Sequence, residues 1–437
     1  MPTFYEPNPA TGVVVAIPDA NPAPAVSGGN NKVVALGDSI VANALVTASG
    51  ATHKSWSNYG FLAWARRYLG QRVNLPAANV LAVGGVDIAS VYANQLPAAL
   101  SSGANIAIVM CGHNSITITN EPLANMIAEI TAIYTALIKA GIFVVAIPVR
   151  VVGTSAAYNA AQLQKFASFN SYITKFCAAN SGIMLLDINP TYLDFSTGLG
   201  QSSLMLDDIH DNQLGAMTFG WLVASTLAPL TTPRDDRFMH VGDVYDATNN
   251  VTGNLLPNGL LAGSAANALN GATGSLPTTW YGERQNNSGT LTLAFSKVSD
   301  ATLTNLTRSR MTIGGTADLN QALLLQEASG WAVGDTITGL CDVSWNITSG
   351  SVLGIGLRVV CEDAGYTPID ETWDGYYPGS GGSMPTGTDH PVVLRTDPLV
   401  IPANTAHVYI QGVVQSGASG AIAATVDWGR ISLRKVV

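Results

Sequence analysis

The chain has 437 residues, of which 47% are hydrophobic and only 11% charged, with 44 glycines and a formal net charge of −9. This excludes a disordered tail and a coiled coil, and the length exceeds one ordinary core, so two domains are expected. Neither part carries a basic stripe, which argues against nucleic acid as a partner, and no run of about 18 apolar residues offers a membrane span.

Residues 1–30 are rich in Pro, Ala and Asn and read as an extended N-terminal arm. They show no basic segment followed by a long apolar core, so no secretory signal is read there. An extracellular or virion-associated location is expected over a cytoplasmic one, by a route such as lysis carrying out a phage particle. A trimer is the natural assembly for a tail protein, although no sequence feature specifies one.

From 31 to 232 short apolar runs alternate with helical patterns. "KVVALG" (32–37), "NVLAVGG" (79–85), "NIAIVMCG" (105–112), "IFVVAIPV" (142–149) and "IMLLDI" (183–188) predict five strands. Helices are predicted over 56–70, 88–100 (with Pro97 inside), 121–141, 160–182 and 212–230. Continuous apolar strands separated by helices imply a parallel α/β sheet covered on both faces. Residues 233–252 read as a linker. Beyond it, 253–437 holds short Thr-, Asn- and Gly-rich runs punctuated by turn clusters such as "PGSGGS", which predicts an antiparallel, jelly-roll-like β-sandwich. Cys111 and Cys177 read as buried thiols; Cys341 and Cys361 could bridge two strands.

Ligands of doubly wound sheets bind at the carboxyl ends of the strands. There the sequence places Gly37-Asp38-Ser39, Gly84-Gly85, Gly112-His113-Asn114, and the later "LDDIHDN" with Asp207 and His210. A serine hydroxyl needs a base within hydrogen-bond reach, and the base needs a carboxylate on its other ring nitrogen. Ser39, His210 and Asp207 can fill these roles, with Asp208 and Asp211 flanking as alternative acids. The oxyanion needs aimed donors: the Ser39 and Gly85 amides and the Asn114 side chain. A Cβ at 85 is expected to crowd the bound acyl group. Asp38 reads as structural, and "GDS" taken alone could be a capped strand-to-helix turn. His113 reads either as a substrate contact or as an exposed filler.

At these residues the chain resembles the GDSL, or SGNH, hydrolase family. Its blocks stand here as "GDSI", "AVGGVD", "GHNS" and "DDIH", in family order, over about residues 31–230. The resemblance implies a three-layer, flavodoxin-like α/β/α domain with Ser39 as nucleophile, Asp207 and His210 completing the triad, and Ser39, Gly85 and Asn114 forming the oxyanion hole. It implies no metal and no cofactor. The chain departs from the pattern at Ser115, where relatives carry Asp, and in having no evident Asn before the second-block glycine.

The opening and close of the β-rich part resemble carbohydrate-binding modules and phage tail β-domains. Sugar binding would use exposed aromatic faces, for which Trp373, Tyr376 and Tyr377 in "ETWDGYYPGSGGS", with Trp280 and Tyr281, are the candidates. Asp427, with N-terminal carbonyls, reads as a candidate structural Ca²⁺ ligand. The expected function is a serine esterase removing O-acetyl groups from an acylated polysaccharide or another small ester. The alternatives are a lipase or thioesterase, and a non-catalytic phage tail or surface glycan-binding protein.

Overall fold

Of the 437 residues, the structure, a computed structural model, describes 31–47, 54–70, 72–153, 158–232, 242–285, 290–300, 303, 306–375, 383–388 and 392–436. The expected arm, Tyr376 and Tyr377 lie outside the described residues. By its internal contacts the chain divides into two units: Met1–Leu45 with Tyr59–Pro233, and Val46–Asn58 with Arg234–Val437. Residues 46–58 therefore group with the second unit, not with the continuous segment 31–232 expected from sequence.

The first unit is built on four parallel strands: β1 (Val33–Gly37), β2 (Ile106–Met110), β3 (Phe143–Ala146) and β4 (Ile183–Leu185), side by side in that order. Each reads as an unbroken apolar run because both faces are covered. Val34, Leu36, Ala107, Val109, Val144 and Ala146 enter one buried cluster with side chains from the helical segments after residues 87, 122 and 159. The alternate set, Val33, Ala35, Ile106, Ile108 and Val145, is buried as well.

The expected strand at 79–85 is a correction. It shrinks to one parallel bridge, Val80 to Ala35. Asn79 ends a short helical turn, and its side-chain amide donates to the Val33 carbonyl at 2.8 Å, taking a position a ladder would use. The helices follow their local signals. α1 (Phe61–Leu69) begins later than predicted, because Trp56 belongs to the second unit. The 88–100 segment is broken as its proline suggested: Ile88–Ser90, a wider π-type turn over Val91–Gln95, then Leu96–Ser101 with Pro97 in the first turn. α2 (His113–Thr117) follows β2, and α3 (Leu123–Lys139) starts after Pro122. α4 (Ala160–Ala179) carries a capping box of Asn159 and Gln162. α5 (Gln213–Leu227) is capped by Asn212. α1 and α5 pack closely, with Phe61 stacked on Phe219 at 3.8 Å between ring centroids.

The second unit is a sandwich of two mainly antiparallel sheets. Its main strands are β5 (Tyr281–Arg284), β6 (Leu291–Ser299), β7 (Thr307–Gly315), β8 (Gln321–Glu327), β9 (Thr336–Ser349), β10 (Val352–Glu362), β11 (Pro368–Asp374), β12 (His407–Ser416) and β13 (Ala423–Lys435). One sheet runs β6-β7-β13-β9, and the other β11-β10-β12-β8-β5. The sheets face each other: a Cβ on Gly339 of β9 would meet Val359 and Ile410, and one on Gly412 of β12 would meet Trp428. The excursion supplies the strand Lys54–Trp56 beside β11, and Trp56 Nε1 donates to Asp397 Oδ1 at 3.1 Å.

All four cysteines are free and buried, so Cys341 and Cys361 do not bridge. Asp427, weighed as a calcium ligand, instead accepts two bonds from Arg310, both at 2.7 Å. Among the described residues no helix is long and apolar enough to cross a membrane.

The α1–α5 approach yields a direct check. A Cβ on Gly220 would collide with the Trp64 side chain and the backbone of Phe61 and Ala65. Gly220→Ala should therefore destabilise the protein by about 1–3 kcal/mol in urea unfolding, despite alanine's higher helix propensity. A gain in stability would mean the helices are not in contact there.

Candidate active site

The first unit's catalytic candidates come from loops at the carboxyl ends of β1 and β2 and before α5. β1 ends on Gly37, where a Cβ would strike the Met110 carbonyl and the Val41 side chain. The Gln95 side chain grips both polar groups of this glycine. Its Oε1 accepts from the Gly37 amide at 2.8 Å and its Nε2 donates to the Gly37 carbonyl at 2.9 Å. Asp38 follows and caps the turn Ser39–Ala42, accepting from the Ile40 amide at 3.1 Å. Ser39 is thus presented from a backbone with little freedom.

Ser39 Oγ lies 2.8 Å from His210 Nε2, and His210 Nδ1 lies 2.8 Å from Asp207 Oδ2. The other Asp207 oxygen accepts from the amides of Ile209 and His210, both at 2.7 Å. Three acceptor contacts fix this carboxylate, so it keeps the ring proton on Nδ1 and leaves Nε2 to accept from the Ser39 hydroxyl. Burial works against ionisation of Asp207, but the bonds from His210 and the Ile209 amide outweigh it and hold the carboxyl below its usual range. The side chains of His210 and Asp207 remain 29% and 54% exposed, so the site is open to solvent on this side. Asp208 and Asp211, the alternative acids, are not the residues paired with the ring.

Gly85 adopts φ +80°, which favours glycine, and a Cβ there would meet nothing within 4 Å. The left-handed backbone conformation by itself favours glycine there. A Cβ on Gly84 would lie 3.8 Å from Ser39 Cβ, so this turn borders Ser39. Asn114 sits in α2, and its Nδ2 donates to the Val86 carbonyl at 2.9 Å, leaving the second amide proton for another acceptor. Ser115 binds the same turn: its Oγ accepts from the Ile88 amide at 2.9 Å. The short hydroxyl therefore anchors the second block to the third at the position where the family pattern has a carboxylate.

His113 is a correction to both sequence readings. It is 2% exposed, and its Nδ1 lies 2.6 Å from the Tyr158 hydroxyl. Burial, with the Arg150 and His210 charges, lowers its pKa to about 3, so it is a neutral internal residue. Trp373 is another correction. It is 3% exposed and packs with Leu323 and Val413, and Trp280 is fully buried. A strand-end tryptophan between Gly-rich turns looks like a loop aromatic, but the β10–β11 pairing turns it inward. Tyr281 is 44% exposed.

Sequence reasoning missed Arg150, Tyr192, Tyr158 and Gln95. Arg150 had a usable signal: it is the one charge in "AIPVRVV", just past a buried strand and at the same sheet edge as the other loops.

Asp38 gives the site a pH signature. It is fully buried, and burial raises its pKa to about 6, only partly offset by the Ile40 amide and by the charges of His210 and Arg150. A carboxyl with a raised native pKa keeps its proton longer in the folded state. It therefore lowers stability as pH climbs from its unfolded value to about 6. Asp38→Asn should remove this loss. The variant should gain on the parent by up to about 3 kcal/mol between pH 4 and pH 7 in denaturant titrations. A constant stability difference across that range would contradict the assignment.

Residues 35–217 match the family model of the GDSL-like Lipase/Acylhydrolase family. Solved structures with similarity to the chain include a putative lipolytic protein of the G-D-S-L family from Desulfitobacterium hafniense, at 16% identity, covering 45% of this chain and 100% of that one with a TM-score of 0.37. An acetyl xylan esterase is 17% identical, covering 45% of this chain and 99% of that one with a TM-score of 0.37. A carbohydrate esterase family 3 protein from Talaromyces cellulolyticus is 16% identical, covering 46% of this chain and 97% of that one with a TM-score of 0.34. No curated protein sequence matches the chain. Over residues 35–217 the chain is similar to the GDSL-like lipase/acylhydrolase family, and that similarity supports a hydrolase.

Proposed function

We propose that the protein is a carbohydrate O-acetylesterase that works through an acyl-enzyme on Ser39. The observation that carries this reading is the continuous hydrogen-bond chain from Ser39 Oγ through the His210 ring to Asp207, each link 2.8 Å. Ser39 attacks the ester carbonyl while His210 Nε2 accepts its proton, and Asp207 stabilises the imidazolium. The oxyanion receives the Ser39 and Gly85 amides and the uncommitted Asn114 amide proton. Among the described residues no acceptor takes the Gly85 N–H. His210 then protonates the departing sugar alcohol. Water activated by the same ring hydrolyses the acyl-enzyme and releases acetate. No step calls on a metal or a cofactor.

Two features support a polymer-borne acetyl ester. The exposed flank of His210 and Asp207 admits an ester projecting from a bulky chain. The second unit also displays a strip of rings on one sheet: Tyr366 (63% exposed) stacked on His407 at 4.5 Å, Tyr409 beside His407 at 6.1 Å, and Tyr281 two strands away. Flat rings bordered by Glu327 and Glu362 suit pyranose faces and sugar hydroxyls. This strip takes the place of Trp373 as the sugar-binding candidate.

The test is hydrolysis of p-nitrophenyl esters of increasing chain length, together with acetate release from acetylated polysaccharides. Acetate should be preferred over octanoate, and Ser39→Ala should lower kcat by about four orders of magnitude or more. Octanoate preference would replace this reading with a lipase or thioesterase. Absence of Ser39-dependent turnover on all substrates would leave a binding protein.

A further inference from the structure

Arg150 follows β3 and is fully buried at the sheet edge that carries Ser39. Its guanidinium donates through Nη1 to Asp211 Oδ1 and through Nη2 to the Ile209 carbonyl. These acceptors belong to the two residues on either side of His210. The cation also lies over the Tyr192 ring, 4.5 Å from its centroid. The Tyr192 hydroxyl is 2.8 Å from Asp211 Oδ1 and 2.7 Å from the Gly215 carbonyl, and its one proton, shared between these acceptors, links the carboxylate to the first turn of α5. The loop is closed on its other side by Gly153, whose amide donates to the Asp208 carbonyl at 2.8 Å.

None of these groups touches Ser39, and none belongs to the hydrogen-bond chain that would move the proton. Yet a guanidinium buried this close to the ring would oppose an imidazolium, unless a carboxylate accompanied it. We infer that Arg150, Asp211 and Tyr192 form a neutral positioning clamp for His210: they fix the loop that aims its ring at Ser39, and they hold the local charge balanced while the ring becomes cationic. The inference rests on the proton-transfer role proposed for His210. It predicts that the clamp contributes in two separable ways, one geometric and one electrostatic.

The charged and titratable groups facing His210 must be counted together. Asp38 approaches from the turn after β1 and His113 from α2. Arg150 comes from the segment after β3, while Asp207, Asp208 and Asp211 share the ring's own loop. His113 is neutral at working pH, and burial pushes Asp38 up to about 6, so the Asp38 titration falls within the acid limb of kcat/KM. Changes are therefore read as displacements from the parent's limb.

The experiment measures pH profiles of kcat/KM on p-nitrophenyl acetate, with unfolding midpoints for every variant. Asp211→Asn leaves the Arg150 cation uncompensated. It should move the acid limb to lower pH by about half a unit or more. Replacing both partners, Arg150→Met with Asp211→Leu, restores neutrality without the clamp. The limb should return to the parent's position while kcat/KM stays about 100-fold low, from misaimed geometry. Tyr192→Phe, the mildest change, should lower kcat several-fold with KM unchanged, and it serves if the other variants do not fold. An unshifted limb in a folded Asp211→Asn, or full kcat in the double variant or in Tyr192→Phe, overturns the inference. Parent turnover that does not depend on Ser39 overturns the functional reading instead, so the two failures are distinguishable.

Discussion

Gly37 is the position at which the first unit has no slack. Parallel pairing of β1 with β2 sets it opposite Met110, and the Met110 carbonyl occupies the space a side chain would need. Gln95 then satisfies its amide and its carbonyl together. A strand that ends in this grip can deliver the next two residues to one place only. Asp38 turns the chain and Ser39 emerges within reach of His210, although 171 residues separate them. The π-type turn over Val91–Gln95 has its use here, since it is the segment that brings Gln95 to the strand end.

Around Ser39, the buried charges are matched by partners or suppressed by burial. Asp207 is held ionised by amides and the ring, while Asp38 is held partly protonated by burial. The Arg150 cation is matched by Asp211, with Tyr192 bridging to α5. Breaking one side of such a buried pair leaves an uncompensated charge and costs about 3–5 kcal/mol in typical cases. These buried pairs hold the loop that carries His210, while the His210 ring and the Asp207 carboxylate stay in contact with solvent.

Much of this was legible in the sequence, for identifiable reasons. The four core strands announced themselves because burial on both faces forces unbroken apolar runs. Ser39, Asp207 and His210 stood out because four blocks, "GDSI", "AVGGVD", "GHNS" and "DDIH", stand in the order of the family the chain resembles, whereas "GDS" alone reads equally as a capped turn. The run at 79–85 misled because a side chain, Asn79, substitutes for the ladder at the sheet edge. The grouping of 46–58 with the second unit was invisible, since local composition does not say which sheet a short strand joins. Trp373 looked like a loop aromatic, and only its cross-strand neighbours explain its burial. Arg150 went unread because it belongs to no motif; its meaning comes from the acceptors beside it.

The central claim is that Ser39 is the group activated by His210. The most direct measurement is labelling of the intact protein with an alkyl fluorophosphonate, followed by peptide mass spectrometry. One adduct, on Ser39, is predicted in the parent, with labelling lost in His210→Gln. An adduct on another residue, or equal labelling of Ser39 in both proteins, would contradict it.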